Sequence, residues 1–343
     1  MKRFFSSTTF TPLAALFILP FSVFLFTAGA DEDAIAKKKA ADDYKTNYAA
    51  TEISNPDDLG WTGKINNCKP GKVSHATYVK MLQRINYFRR LAGVNDKIVL
   101  DSSWCKLAQS AALIMYANNT LNHDPDASMK CFSEDGKLGA KTSNLSSIID
   151  ASIKELISDE IQDGSDANNF CGHRRWLLNS QAYKMGFGGT PGAYAVRVFT
   201  LYDEKDKDTS SFHGTQPEYF GYPFHGYTPY QVIYPKWSFA VTGTTPDYGS
   251  TTVSVTAGEK IIPCTIVNRE KFGYGDPTLV WTIKGLKEDF DYNYYDMAEK
   301  KKGFESLGLL NKKITVKITN VKIDGKMKSY SYSFTIFDPN DVN

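Results

Sequence analysis

Two histidines stand where the backbone changes direction. His123 follows a helical stretch, in Leu121-Asn122-His123-Asp124-Pro125, and His173 follows Cys171-Gly172. Imidazole is the commonest metal ligand and titrates near neutral pH. Two such rings with carboxylates can hold zinc and leave one position open for water or substrate. Carboxylates are at hand in Glu160 and Asp163, which share one face if a helix continues that far. The plainer alternative makes the histidines ordinary surface or packing residues and the acids a solvated helix end. His75, His213 and His225 complete the histidines. There is no H-E-x-x-H, G-x-S-x-G, P-loop or G-x-G-x-x-G, so no motif demands an enzyme.

Helices must position these groups. From Ser74, a capping residue, Tyr78, Leu82, Ile85 and Phe88 or Arg89 recur at helical spacing, and Gly93 ends the run. A second helix fits Asp101 to Leu121, with Leu107, Ala111, Ile114 and Met115 inward, and Pro125 stops it. Ser143-Asn144-Leu145 follows in a polar loop. A third helix is expected from about Ile148 to Ile161. Met185-Gly186-Phe187-Gly188 then precedes an extended run, Ala193 to Tyr202.

Charge and composition narrow the class. The 343 residues are 42% hydrophobic and 23% charged, with 40 basic and 38 acidic side chains, enough apolar material for about two domains. Lys2 and Arg3 carry the whole excess, because the first 30 residues hold no Asp or Glu. The rest is neutral, which argues against a nucleic-acid partner. Lys2 and Arg3, the apolar run Leu13 to Phe26 and the small residues Ala28-Gly29-Ala30 have the layout of a cleaved secretory signal. That run falls short of the ~20 residues a membrane span needs, and Pro20 interrupts it. A secreted or cell-surface protein without a stable membrane span is expected. Export permits disulfides. Cys68, Cys105, Cys131 and Cys171 allow two bridges in three connectivities, with Cys264 left over, or all five are reduced and buried. Asn118-Asn119-Thr120 and Asn144-Leu145-Ser146 are glycosylation sequons or chance matches.

The domain reading is a signal at 1–30, a polar spacer that packs little at 31–71, a helical domain with late strands at 72–205, an aromatic, Pro- and Gly-rich linker docked on a neighbour at 206–239, and a β-sandwich at 240–343. Within the linker, DEKDKDTSS is a surface loop. In the last part, Thr251 to Thr256 alternates, and Asp324-Gly325 is a hairpin signal between Ile314–Ile323 and Tyr330–Phe337. Short strands with frequent turns suggest a sandwich.

Five pieces in order resemble the CAP superfamily, the cysteine-rich secretory, antigen 5 and pathogenesis-related proteins, or SCP-like domains. They are Leu82-Gln83-Arg84-Ile85-Asn86-Tyr87-Phe88-Arg89; Ala108 to Leu113 leading to Leu121-Asn122-His123; Ser143-Asn144-Leu145; Gly172-His173-Arg174-Arg175-Trp176-Leu177-Leu178; and Met185-Gly186-Phe187-Gly188. The resemblance covers about residues 72–203 and looks like the microbial branch. The stretch from Tyr219 to Phe239 is similar to the segment that follows the domain in some microbial members.

The resemblance implies an α+β protein: a CAP-type α-β-α sandwich with a cleft, here followed by an all-β, Ig-like C-terminal sandwich. It implies His123 and His173 as the family's histidine pair, able in some members to bind a divalent metal such as zinc. The family's first acid, in Gly-Glu-Asn-Leu, is replaced by Ser143 before Asn144. The second maps to Asp163, which starts the loop to His173, or to Glu160. His123, Ser143, Asn144 and His173 are the expected ligand-binding set. The missing acid favours a non-enzymatic protein that binds a lipid or sterol, a glycan or an extracellular protein through the cleft or the β domain. The alternatives are a metal-dependent hydrolase using His123, His173 and Asp163, a Ser143–His nucleophile pair, and a structural or adhesive surface protein.

Overall fold

The computed structural model describes residues 21–148, 150–164, 168–201, 204, 212–269, 273–286 and 297–342. Residues 1–20 of the expected export signal, and most of the DEKDKDTSS loop, lie outside the described residues.

Helix α1 spans Phe21–Asn47 and α2 spans His75–Ala92. The Ser74 side chain accepts from Thr77 N to cap α2, and Gly93 closes it in the left-handed region at φ 72°. Strand β1 (Val99–Leu100) leads into α3 (Ser102–Asn118), capped by the Asp101 side chain, which accepts from Trp104 N. The helix stops three residues before Leu121, at a left-handed Asn119. Helix α4 (Glu134–Lys141) then runs into β2 (Ser143–Ser147), so Ser143-Asn144-Leu145 begins a strand, not a loop. The expected single helix from Ile148 to Ile161 is broken. A 3-10 turn covers Asp150–Glu155 and α5 covers Ser158–Gln162. The break is at Ile157, held at φ 72°, which a continuing helix does not allow. Of the inner face that the periodicity predicts, Ile153, Leu156, Ile157 and Ile161 are buried, and Ile149 lies outside the described residues.

Helix α6 (Gly172–Leu177), β3 (Lys184–Gly189) and β4 (Ala193–Arg197) complete this part, in a sheet of order β1-β3-β4-β2. Alternation in β3 and β4 creates two unlike faces. Met185, Phe187, Tyr194 and Val196 pack with Met81, Ile85 and Phe88 of α2. Ala193 and Ala195 pack with Ala108, Ala111 and Ala112 of α3 and Ala140 of α4. Gly188 lets α3 lie directly on the strand, since a Cβ there would stand 2.1 Å from Gln109 N. The result is the α-β-α sandwich that the resemblance implies.

The segment expected to be a loose spacer is docked. Ala41, Tyr44 and Tyr48 are buried, and the two tyrosines join the core beside Tyr87 and Phe88. Gln83 Nε2 donates to Thr46 O at 2.9 Å, and Arg90 Nε donates to Asp43 at 3.1 Å. At its other side α1 meets the C-terminal unit, where Tyr227 donates to Asp33 and Lys45 donates to Val342 O.

The expected linker is also ordered as sheet. It supplies β5 (Tyr219–Tyr222), β6 (Gly226–Pro229) and most of β7 (Lys236–Val241). The remaining elements are β8 (Thr252–Ala257), β9 (Lys260–Ile262), β10 (Cys264–Asn268), β11 (Thr278–Ile283), α7 (Met297–Ser306), β12 (Lys313–Ile323) and β13 (Lys326–Phe337). They form two sheets, β10-β11-β7-β5 and β6-β13-β12-β8-β9. Both feed one core, with Trp237, Phe239 and Trp281 from one sheet and Val316, Ile318 and Phe334 from the other. The unit is not wholly β, because α7 contributes Phe304 to that core. The β6–β13 pair is parallel. Asp324 and Gly325 form the predicted hairpin turn, both at positive φ.

Cysteine usage falls between the two sequence expectations. Cys68 and Cys131 are bridged, while Cys105 and Cys171 are buried free thiols and Cys264 is a half-buried one. The bridge spans 63 residues of sequence, so it removes substantial loop-closure entropy from the unfolded chain. Replacing both Cys68 and Cys131 with serine should cost about 2–4 kcal/mol in urea denaturation. A double variant as stable as the wild type would show that the bridge does not constrain the unfolded ensemble.

Candidate functional site

His173 is the second residue of α6, and Asp163 ends α5 in the left-handed region at φ 54°. These two short helices bring imidazole Nδ1 within 3.1 Å of Asp163 Oδ1. The carboxylate is fully buried, whereas the imidazole side chain keeps 25% exposure. Oδ1 has no aligned hydrogen-bond donor, so the contact is an ion pair more than a hydrogen bond. Oδ2 accepts from Arg174 N at 3.3 Å. Burial pushes the His173 pKa down. The contact with Asp163, and the charges of Asp163, Glu160 and Asp159, outweigh that and raise it to about 9. The ring is therefore a cation at neutral pH.

Two more acids stand behind it. Glu160 is completely buried. Its Oε2 accepts from Asn144 Nδ2 at 2.7 Å, and the same amide donates to His173 O at 3.1 Å. Asn144 thus pins β2 to α5 and α6 together. Burial raises the Glu160 pKa to about 8, opposed by His173 and reinforced by Asp159. Asp159 accepts a hydrogen bond from the Tyr194 hydroxyl. Burial lifts its pKa to about 6, against that bond. Asp159 and Tyr194 escaped the sequence reading. The available signal was the alternation of Ala193 to Val196, which turns Tyr194 toward the helix that carries the acids.

The back of the site comes from the C-terminal unit. Arg174 Nε donates to Ile161 O at 2.6 Å, and Nη1 donates to Lys236 O and Ser238 Oγ on β7. Its guanidinium stacks 4.0 Å from the Tyr222 ring. In return Lys236 Nζ donates to Asp163 O at 3.0 Å.

The other expected residues are placed differently. His123 is exposed on the α3–α4 connection, where Nδ1 donates to Ala140 O at 2.8 Å. A carbonyl only accepts, which fixes the tautomer with the proton on Nδ1. His123 has no part in the bonding network around His173. Among the described residues, no three His, Cys, Asp or Glu side chains are grouped to hold a metal ion. The residues present therefore do not fit a zinc centre built on His123, His173 and Asp163. Ser143 is 3% exposed in β2, and its Oγ has no hydrogen-bond partner, so no base activates it. Asn144 is 2% exposed and fully engaged, which leaves its sequon no access for a glycan. The Asn118 side chain is likewise tied to Ile114 O and Lys130.

His173, Glu160 and Asp159 all have folded pKa values above their unfolded ones, and the first two shift most. Their stabilisation is complete below pH 6.5 for His173 and below pH 4.5 for Glu160, and is lost as pH rises through about 9 and about 8. Urea denaturation should show stability falling from about pH 4.5, where Glu160 begins to contribute, to about pH 9, where the His173 contribution ends. Allowing for the partial exposure of His173, its share is on the order of 2–3 kcal/mol. His173→Gln should flatten that fall, and an equally steep fall in the variant would place the titration elsewhere.

The comparison with known families falls on this same region. Residues 82–201 match the model of the Cysteine-rich secretory protein family, CAP. That stretch runs from inside α2 past the end of β4, taking in all three layers of the sandwich and the His173 network. No curated protein matches the chain. Residues 82–201 of the chain therefore carry a CAP-family domain.

Proposed function

We propose that this is a secreted, non-enzymatic CAP protein that acts by binding, with its ligand surface on the C-terminal unit and the His173 network serving as an internal brace. One observation carries this reading. Asp163 and Glu160 are buried, and the two partly open members of the set are already engaged, His173 with Asp163 and Asp159 with the Tyr194 hydroxyl. A hydrolytic site needs a group free to reach substrate. By contrast, a cavity of about 370 Å³ opens between α1 and the β6–β13 edge of the C-terminal unit. That volume is in the range of small-ligand clefts. Its lining mixes polar side chains, among them Asp33, His225, Lys313, Ser331 and Thr335, with the aromatic residues Tyr227, Tyr332 and Phe334.

Secretion is part of the proposal. It rests on the basic start, apolar run and small residues of the first 30 positions, and on the Cys68–Cys131 bridge, which fits an oxidising compartment. Among the described residues, no helix is long and apolar enough to cross a membrane.

The purified protein should give no turnover of peptide or ester substrates above buffer, with or without added zinc. Sustained turnover lost in His173→Ala would overturn the reading. Ser143→Ala removes a buried hydroxyl that has no partner, so stability should hold within about 0.5 kcal/mol or improve. Loss of an activity in Ser143→Ala, with stability unchanged, would point to a nucleophile instead.

A further inference from the structure

The sheet β6-β13-β12-β8-β9 has two chemically opposite faces. Ile314, Val316 and Ile318 of β12 and Phe334 and Ile336 of β13 enter the core. The alternate positions turn outward with hydroxyls and ammonium groups. Register sets them in rows: Lys313 opposite Thr335, Thr315 opposite Ser333, and Lys317 opposite Ser331. Strand β8 extends two rows, with Thr256 beside Thr315 and Ser254 beside Lys317. No carboxylate stands in these rows.

At the β6 edge this face becomes concave. The floor of the cavity is β13 from Ser331 to Thr335, and its walls are His225, Tyr227, Lys313 and Asp33 of α1. Tyr227 donates to Asp33 at 2.6 Å, so the one acid in the lining is engaged in fixing α1 to the wall. Lys313 and His225 are exposed and left to meet a ligand. Cleavage after Ala30 would leave Asp33, and hence the whole cavity, in the mature chain.

We infer that this pocket and the rows beside it bind an acidic polysaccharide, with a uronate carboxylate at Lys313 and His225 and sugar hydroxyls on Ser331, Ser333 and Thr335. Sugar and side-chain hydroxyls each donate and accept, so they pair in either sense. The ammonium group adds a charge-assisted bond that a neutral sugar does not supply. Side chains two apart on a strand repeat every ~6.6–6.8 Å, which suits a chain of rings better than a single small anion. The rows carry none of the Arg forks that favour phosphate. This inference rests on the reading of the protein as a binding module.

Calorimetry on the full mature chain tests it with three probes in low salt: oligogalacturonate, its fully methyl-esterified form, and poly-L-glutamate of similar charge. Oligogalacturonate should bind, and the ester and the polypeptide should each bind about tenfold more weakly or worse. Lys313→Glu, at an exposed position, should fold normally by circular dichroism and lose oligogalacturonate binding by about tenfold or more. Ser333→Val should weaken it too, with charge unchanged. Absence of oligogalacturonate binding, equal binding of poly-L-glutamate, or full binding by Lys313→Glu would each overturn the inference. Equal binding of the methyl ester would overturn the acidic assignment while leaving the binding-module reading intact, and only turnover of substrate would sink that reading.

Discussion

The buried guanidinium of Arg174 holds the two halves of the molecule and the His173 network in one arrangement. It is 1% exposed and uses Nε, Nη1 and Nη2 on the end of α5 and on β7. Its own backbone N–H donates to the carboxylate that pairs with His173. A charge taken out of water is tolerable only with such full satisfaction. The carbonyls of Ile161 and Lys236 therefore have to sit where Arg174 finds them, which fixes α5 against β7. Arg89 braces the segment after α6 from within the sandwich, with its guanidinium bonded to the carbonyls of Leu177, Asn179 and Ala182. Asp276, from the loop before β11, accepts from Ser180 N and Oγ and closes the junction. The CAP site is thus walled on one side by a different part of the chain.

Much of the sandwich was legible because its signals are local. Ser74 and Gly93 mark α2 at both ends, and Asp101 marks the start of α3. Met185-Gly186-Phe187-Gly188 states in four residues which face is apolar and which must be bare. The errors lie where the determining partner is distant. Strand β6 reads as linker because its neighbour, β13, is more than 100 residues away and parallel. Helix α1 reads as spacer because, from residue 31 on, its buried positions are only Ala41 and Tyr44, with Tyr48 just past its end. The break at Ile157 has no sequence signal, since isoleucine is among the residues least suited to positive φ.

The site was legible in its parts and not in its connections. His173, Asp163, Glu160 and Asn144 all fall in one network, but their spacing gave no hint that Asn144 would join three elements at once. His123 was judged by its place at a helix end. Its ring is instead held by a carbonyl only 17 positions on, in α4. Ser143 shows the limit of reading a strand as a loop. In a loop its hydroxyl is a reagent, whereas in β2 it is a small side chain under a sheet.

Helix α1 also sets an order of events. Its contacts divide between α2, near the start of the chain, and the β6 strand and Pro339–Asp341 turn, near its end. Lys45 meets Val342 across 297 positions. During synthesis from the amino end, the helix therefore waits beside a growing chain until the last residues are made. Its contacts with β6 and the Pro339–Asp341 turn can close only once the C-terminal residues are made, whereas Tyr44 belongs to the first core. Past residue 30 the waiting helix is mixed in charge and rich in alanine, so that stretch leaves little apolar surface in water meanwhile.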